Sequence, residues 1–284
     1  MAEIIGGVGC SHVPAVGAAI DKGKTEEAYW APYFAKTQPV KDWIAEKKPD
    51  VAIVVYNDHA TAFSLALVPT FALGVGEHFG VADEGFGKRP VPNIVGHPDL
   101  AWHLAESLVA DEFDLTIVHE MEVDHGLTVP LSVTCGEPKA WPFKVIPLCV
   151  NVVQYPVPTG NRCLHLGEAI RRAIATYPGN ERVVVFGTGG LSHQISGQRA
   201  GLINTEFDAH FLDLLVSDPT AAAAIPHIDF VREAGAEGIE MIMWLVMRGA
   251  LGETVTETYR ATHVPTSNTH NGLLLLDPTE RVAV

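Results

Sequence analysis

The chain has 284 residues, 47% of them hydrophobic and 19% charged, so it can bury a large core and extensive disorder is not expected. Its 34 acidic residues outnumber 19 basic ones and give a net charge of −15, which argues against nucleic acid and anionic membranes as partners. The sequence has no basic, apolar leader and no run of about 20 apolar residues, so we expect a cytoplasmic protein. The four cysteines form no CxxC pair and are expected to be reduced thiols.

Runs rich in Val, Ile and Leu predict strands that are covered on both faces, at residues 4–8, 51–56, 115–118, 144–153, 183–186 and 272–276. Between them, apolar residues recur at helical spacing, at residues 34–47, 98–111, 164–177, 204–216 and 228–251. Pro39 is expected to mark a boundary in the first of these segments, and Gly235 and Gly238 are expected to interrupt the last. This alternation predicts an α/β fold with a central, mostly parallel or mixed sheet flanked by helices. No repeat or linker is evident, so we expect one domain over residues 1–284.

The segment 79–99 is predicted to be one long loop, because FGVADEGFGKRPVPNIVGHPD is dense in glycine and proline. Long loops in compact domains are usually functional or mobile. We therefore expect this segment to line a pocket mouth or dock a partner, or else to be an ordinary surface loop.

Three predicted strands each lead into a short loop that ends at a histidine: His12, His59 and His193. Ligands gather outside the carboxyl ends of strands in open α/β sheets, so the three imidazoles can share one edge. His12 and His59 are a candidate pair of metal ligands, and His193, after the Gly-rich GTGG, is a candidate general acid or base. Each of them taken alone is equally compatible with a structural histidine.

Glu240 is the best carboxylate candidate, because it directly precedes seven apolar residues in what the pattern predicts to be a buried helix. A buried carboxylate is costly unless it is paired or bound to a metal. Glu233 and Glu237 lie on roughly the same side of that predicted helix, and spacing alone does not choose among the three. His125, after another strand-like run, is expected to hydrogen-bond a substrate or to cap a turn.

Six segments together resemble one family: SHVPA (11–15), VYNDHA (55–60), ADEGFGKRPVP (82–92), DHG (124–126), FGTGGLSHQ (186–194) and EGIEMIMWLVMRGAL (237–251). The family is that of the catalytic β subunits of protocatechuate 4,5-dioxygenases, which are type II, LigB-type extradiol dioxygenases. The resemblance covers nearly the whole chain. It implies a LigB-like fold and cleavage of protocatechuate (3,4-dihydroxybenzoate) at the 4,5 bond by O₂, giving 4-carboxy-2-hydroxymuconate semialdehyde.

Carried over by position, the resemblance implies that His12, His59 and Glu240 hold a mononuclear non-haem Fe(II). It also implies that His193 is the residue that moves protons. His125 would be a partner of the bound catechol.

Ser267 and Asn268, in the segment HVPTSN, match a part of the family that lies near the substrate carboxylate. The family also pairs the catalytic subunit with a small α subunit in an α₂β₂ assembly, so the resemblance implies a separate partner. Three alternatives stay open. They are gallate or another substituted catechol as the substrate, a Zn²⁺-dependent hydrolase with the same ligands, and a non-catalytic, Memo-like binding protein.

Overall fold

The computed structural model of the protein describes residues 1–266 and 268–279. The strands in this part of the chain are β1 (Glu3–Cys10), β2 (Val51–Tyr56), β3 (Phe71–Gly74), β4 (His78–Val81), β5 (Ile94–Val95), β6 (Thr116–Val118), β7 (Glu122–Val123), β8 (Lys144–Val150), β9 (Arg182–Thr188), β10 (Val255–Thr266) and β11 (Thr269–Pro278). The α-helices there are α1 (Pro14–Asp21), α2 (Ala31–Phe34), α3 (Gln38–Lys47), α4 (Pro98–Ala110), α5 (His125–Cys135), α6 (Gly160–Thr176), α7 (Thr205–Ser217), α8 (Pro219–Ala223), α9 (His227–Asp229) and α10 (Ile242–Ala250).

Eight of the described strands form one mixed sheet in the order β10-β11-β1-β9-β2-β8-β3-β6, and β5-β4-β7 form a small second one. The four central strands β1, β9, β2 and β8 are parallel, whereas β11 and β3 pair antiparallel with β1 and β8. The side chains of β2 are buried on both faces, as its continuous apolar run predicts. The predicted α/β fold with a central mixed sheet is confirmed.

Helices cover both faces of the large sheet, and β2 shows how the two layers divide. Its odd-numbered side chains pack in a core with α4, α6 and α10, and its even-numbered ones pack in a core with α1, α3 and α5. Helices α6 and α10 approach very closely, because a Cβ at Gly249 would lie 2.2 Å from the carbonyl oxygen of Leu164. Glycine at this position therefore holds α10, and the chain just before it, tightly against its neighbours.

Strands β1, β9 and β2 are adjacent and parallel, so their carboxyl ends meet at the same edge of the sheet. The loops that follow these strands carry His12, His193 and His59. The predicted convergence of the three strand-end histidines therefore has a direct basis in the strand order.

The helical segment predicted over 228–251 is interrupted at Gly235, as expected, but its parts are shorter and more irregular than predicted. Gly235 has a φ of 95°, which favours glycine, and a Cβ there would lie 2.2 Å from the carbonyl oxygen of His193. The chain instead forms α9, a π-helical turn over Phe230–Ala234, a 3₁₀ turn over Glu237–Met241, and then α10. Glu240 accordingly lies in the 3₁₀ turn before α10 and not within a long helix.

Other boundaries also differ from the prediction. The segment 79–99 is not one loop, because its beginning belongs to β4 and its end includes β5 and the first turn of α4. The segment 34–47 does have its expected boundary at Pro39, because α3 starts at Gln38 with that proline in its first turn. Strand β10 lacks an apolar run and was not predicted. Within the described residues, no helix combines the length and apolarity needed to cross a bilayer.

Candidate metal centre

At the edge of the sheet, the three predicted site histidines lie around the carboxylate of Glu240. Oε2 of Glu240 lies 3.2 Å from Nε2 of His12 and 3.7 Å from Nε2 of His193. Its other oxygen, Oε1, lies 3.7 Å from Nε2 of His59. His12, His193 and Glu240 are buried, and His59 retains 26% of its side-chain exposure, so the cluster opens to solvent on the His59 side.

Each candidate ligand forms a hydrogen bond with a neighbouring protein group that fixes its orientation. Nδ1 of His12 lies 3.1 Å from Oγ1 of Thr188, at the end of β9. His59 donates from Nδ1 to Oδ2 of Asp124 at 3.0 Å, and its backbone N–H donates to the same oxygen at 2.6 Å. Oε2 of Glu240 accepts the backbone N–H of Gly190 at 2.8 Å. With Nδ1 occupied in both rings, Nε2 faces the carboxylate, which is the orientation that metal-binding histidines adopt. Nε2 of His59 also lies 3.0 Å from Nδ2 of Asn57.

The carboxylates and imidazoles of the cluster shift one another's pKa values. Burial alone would raise the pKa of Glu240. The facing imidazoles of His12, His59 and His193 have the larger, opposite effect, so the pKa of Glu240 lies well below its ordinary value. Burial lowers the pKa of His59, but the hydrogen bond to Asp124 and the facing carboxylate of Glu240 outweigh it and raise the pKa to about 10. A metal ion at this site would supply positive charge to the same carboxylates.

The residues present fit a divalent metal ion. Nε2 of His12 is buried and has no well-formed hydrogen bond within the described part of the chain, although Oε2 of Glu240 is close. A buried ring nitrogen of this kind calls for a partner. Two imidazole nitrogens and one carboxylate oxygen form a donor set that suits Fe(II) and Zn²⁺.

His125, at the start of α5, also lies at the cluster. Its ring centroid is 3.9 Å from that of His59 and 5.6 Å from that of His12. Ligand atoms of His12, His59 and His125 all lie within 4.8 Å of one another, so a three-histidine donor set is also compatible with the geometry. His125 therefore lies beside the cluster, where its predicted contact with a bound catechol is possible. Mutagenesis distinguishes the donor set with Glu240 from the donor set with His125.

His193 is fixed in its loop by a buried network. Its Nδ1 donates to the carbonyl oxygen of Leu191 at 2.7 Å, so Nε2 is the ring nitrogen that is left for the cluster. The preceding Ser192 donates its backbone N–H and hydroxyl to Asp208 at 2.9 and 2.6 Å. Asp208 also accepts Nδ1–H of His270 on β11 at 2.6 Å, which ties the loop to the neighbouring strand.

Asn268, one of the two predicted substrate-binding residues, lies at the turn between β10 and β11. Asn268 is exposed and has a φ of 60°, and it precedes Thr269, which pairs with His193 in an isolated bridge. The turn therefore lies beside the loop that carries His193. Ser267 lies outside the described residues.

Four residues that support the site were not predicted from the sequence: Thr188, Asp124, Asp208 and Glu84. Asp124 did leave a signal, because an aspartate directly before a helix is a common N-cap, and Asp124 caps α5 through Gly126 N–H at 2.8 Å. The other three hold their partners through contacts between distant segments, which no local pattern predicts.

The sequence profile of one family, described as the catalytic LigB subunit of aromatic ring-opening dioxygenase, matches residues 6–271. The chain belongs to this family. The LigB-family match covers every candidate site residue of the sequence analysis, since His12 is the first and Asn268 the last of them. LigB dioxygenases are metal-dependent, in keeping with the donor set described above.

Two dioxygenases and one crystal structure are similar to this chain. The LigB-family chain is 42% identical over 197 residues to a gallate dioxygenase of Pseudomonas putida, a match that covers 69% of this chain and 58% of that protein, less than two thirds of its length. It is 28% identical over 259 residues to a 2,3-dihydroxyphenylpropionate/2,3-dihydroxicinnamic acid 1,2-dioxygenase of Cupriavidus necator, covering 74% of this chain and 79% of that protein. The crystal structure of an uncharacterized protein from Escherichia coli K12 shares the fold, with a TM-score of 0.57 at 13% identity over 95% of this chain and 99% of that one.

Replacing Asp124 by asparagine is expected to weaken metal binding about 10- to 100-fold, because one of its two accepting oxygens becomes an NH₂ group that cannot accept from His59 or from Gly126, and the negative charge is lost. Competition with a chromophoric chelator measures the affinity. Asp218→Asn is the matched control, since Asp218 also caps a helix, α8, through Ala221 N–H at 3.0 Å. Wild-type affinity in Asp124→Asn would show that the carboxylate does not support a ligand.

Proposed function

We propose that this chain is the catalytic subunit of a non-haem Fe(II)-dependent extradiol dioxygenase that opens the ring of 3,4-dihydroxybenzoates. The observation that carries the proposal is the placement of Glu240 among His12, His59 and His193 at the ends of three adjacent strands. Two histidines and one carboxylate that leave coordination positions open are typical of non-haem Fe(II) oxygenases. We further propose that residues 1–284 form one catalytic domain.

The proposed substrate has two forms that share the same 3,4-dihydroxybenzoate unit. The sequence resemblance favours protocatechuate, whose product would be 4-carboxy-2-hydroxymuconate semialdehyde. The 42% identity to a gallate dioxygenase favours gallate, which adds one ring hydroxyl. Both are anions, and a cation at the cluster gives an acidic protein of net charge −15 a local attraction for them.

Bound Fe(II) would hold catechol and O₂ side by side and supply positive charge. His193 then accepts the proton of a ring hydroxyl at Nε2, because its Nδ1–H is already donated to Leu191, and returns it when the ring opens. His125 contacts the substrate through Nε2, because its Nδ1 is bonded to Glu84. Asp124 and Gly190 keep His59 and Glu240 in place during the reaction.

We also propose that a small separate α subunit covers the site in an α₂β₂ assembly. An apolar groove of about 490 Å³ adjoins Asp58, the residue before His59, and its walls include Phe63, Leu65 and Leu67. Leu65 is 81% exposed, and exposed apolar surface of this kind marks an interaction site. The isolated, iron-loaded chain is therefore expected to turn over well below the ~10 s⁻¹ of an average enzyme, and full turnover alone would contradict the partner.

Oxygen uptake tests the proposed reaction. Protein loaded anaerobically with Fe(II) is expected to consume O₂ with protocatechuate or gallate and to form a yellow ring-fission product, with a weaker response to plain catechol. The Zn²⁺-loaded protein is expected to consume none. Hydrolysis supported by Zn²⁺ without O₂ uptake would favour the hydrolase instead, and catechol binding without O₂ uptake would favour a non-catalytic binding protein.

A further inference from the structure

The Gly- and Pro-rich segment 82–92 contributes one side chain, that of Glu84, to the surroundings of His125. Oε1 of Glu84 accepts the backbone N–H of His125 at 2.9 Å, and Oε2 accepts a hydrogen bond from Nδ1 of the same residue. His125 is buried, and the side chain of Glu84 is 24% exposed. The loop thus contributes a carboxylate to the back of a ring at the candidate metal centre.

The loop is built to present Glu84 at a defined position. Oδ1 of Asp83 accepts the backbone N–H groups of Gly85 and Gly87, both at 2.9 Å. Both glycines have positive φ angles, 92° and 87°, which favour glycine. The turn that follows Glu84 is therefore closed by its own neighbours and does not rely on the site to hold its shape.

The same loop is also tied to the helix that His125 begins. Arg89 forms two hydrogen bonds with Asp21 at the end of α1, at 2.9 and 2.8 Å. It also donates to Oγ1 of Thr128 on α5 at 3.1 Å. A bidentate arginine–carboxylate pair that is largely shielded from solvent holds its partners in register, so the loop and α5 are fixed relative to each other.

We propose that Glu84 is a positioning residue that sets the tautomer and ring orientation of His125; this rests on the proposed function, in which His125 contacts the catechol. An ionised carboxylate only accepts hydrogen bonds, so Nδ1 of His125 must carry the hydrogen and Nε2 is the nitrogen presented to a substrate. The ring of His125 lies against that of His59, with centroids 3.9 Å apart, so a rotated His125 would also disturb the space beside a candidate ligand.

Glu84→Gln tests the role with little change in size. The amide has one accepting oxygen, so it cannot accept both the backbone N–H and Nδ1–H of His125, and its NH₂ group favours hydrogen on Nε2 instead. We expect kcat to fall about 10- to 100-fold, with KM changed by less than about threefold and iron content and Tm as in the wild type. Glu84→Asp keeps two accepting oxygens and is expected to recover part of the loss.

The matched control is Glu122→Gln, which removes an exposed carboxylate that pairs with Lys88 of the same loop. It is expected to leave kcat, iron content and Tm unchanged. In a His125→Gln background, Glu84→Gln is expected to have no further effect on kcat. An equal loss in that background would show that Glu84 acts other than through His125 and would overturn the proposal.

A second readout does not depend on turnover. Long-range ¹H–¹⁵N correlation spectra of the metal-free protein report which ring nitrogen of each histidine carries hydrogen, and the loss of a signal in His125→Gln assigns His125. The wild type is expected to show hydrogen on Nδ1 of His125, and Glu84→Gln is expected to move it to Nε2. If the spectra change and no catechol is cleaved, the proposed reaction fails and the positioning role stands. An unchanged His125 signal in Glu84→Gln overturns the positioning role itself.

Discussion

His193→Ala is expected to retain a full complement of iron and to lose about 100- to 10,000-fold in kcat, the range that removal of a general acid or base produces. In the proposed division of roles, His193 exchanges a proton at Nε2 while its Nδ1 is held by Leu191, and the other two histidines and Glu240 hold the metal. Colorimetric iron determination and oxygen uptake on the same sample measure the two effects.

His227→Ala is the matched control for this prediction. Nε2 of His227 also donates to a backbone carbonyl, that of Pro158 at 2.9 Å, but it lies in α9 and outside the candidate centre. We expect wild-type kcat in this variant. Loss of iron from His193→Ala, in parallel with its loss of turnover, would make His193 a ligand and would contradict the proposed division of roles.

His12→Ala and Glu240→Gln are expected to lose bound iron and to have no measurable turnover. Each change removes one donor from a set of three, and Glu240→Gln also removes the negative charge that faces His12 and His59. Metal content after anaerobic loading and desalting, with far-UV circular dichroism to confirm the fold, measures this effect. Added Fe(II) in excess is expected to restore little activity.

His125→Ala distinguishes the proposed donor set, which includes Glu240, from the set in which His125 joins His12 and His59. With His12, His59 and Glu240 as ligands, this variant keeps stoichiometric iron and loses activity only through its contact with the substrate. If instead His125→Ala loses the metal and Glu240→Gln keeps it, three histidines hold the ion and the proposed carboxylate ligand is wrong.

The histidines at the sheet edge were predictable because the signal for each is local. An apolar run followed by a short loop and a histidine occurs at His12, His59 and His193, and parallel strands share one carboxyl edge. The order that makes β1, β9 and β2 neighbours is not local, since it depends on which strands pair across the whole chain. The sequence therefore predicted the members of the cluster but not their distances.

Glu240 was singled out on a correct argument about burial, and the predicted interruption at Gly235 is present, although the 3₁₀ turn that carries Glu240 was not predicted. The apolar run after it predicts a buried helix, and α10 is that helix. The helix does not extend back through Gly235, because the chain there passes against the carbonyl of His193 with a positive φ. This tertiary contact overrides the helical pattern and places Glu240 in a separate turn.

The residues that hold the candidate ligands were not predictable from periodicity. Thr188 is 176 positions from His12, Asp124 is 65 positions from His59, and Glu84 is 41 positions from His125. Each pair joins two distant segments of the chain whose meeting is decided by the fold. Polar residues in loops are common, and nothing in the neighbouring sequence marks these as partners of a histidine.

A single-turnover reaction tests the central claim most directly. The chain is loaded with Fe(II) without air, mixed in excess over gallate or protocatechuate, and then exposed to O₂, so that even slow cleavage without a partner is seen. We predict one ring-fission product for each O₂ consumed, no hydrogen peroxide, and no reaction in the Zn²⁺-loaded chain. Recovery of both substrates unchanged from fully iron-loaded protein would contradict the proposed dioxygenase activity.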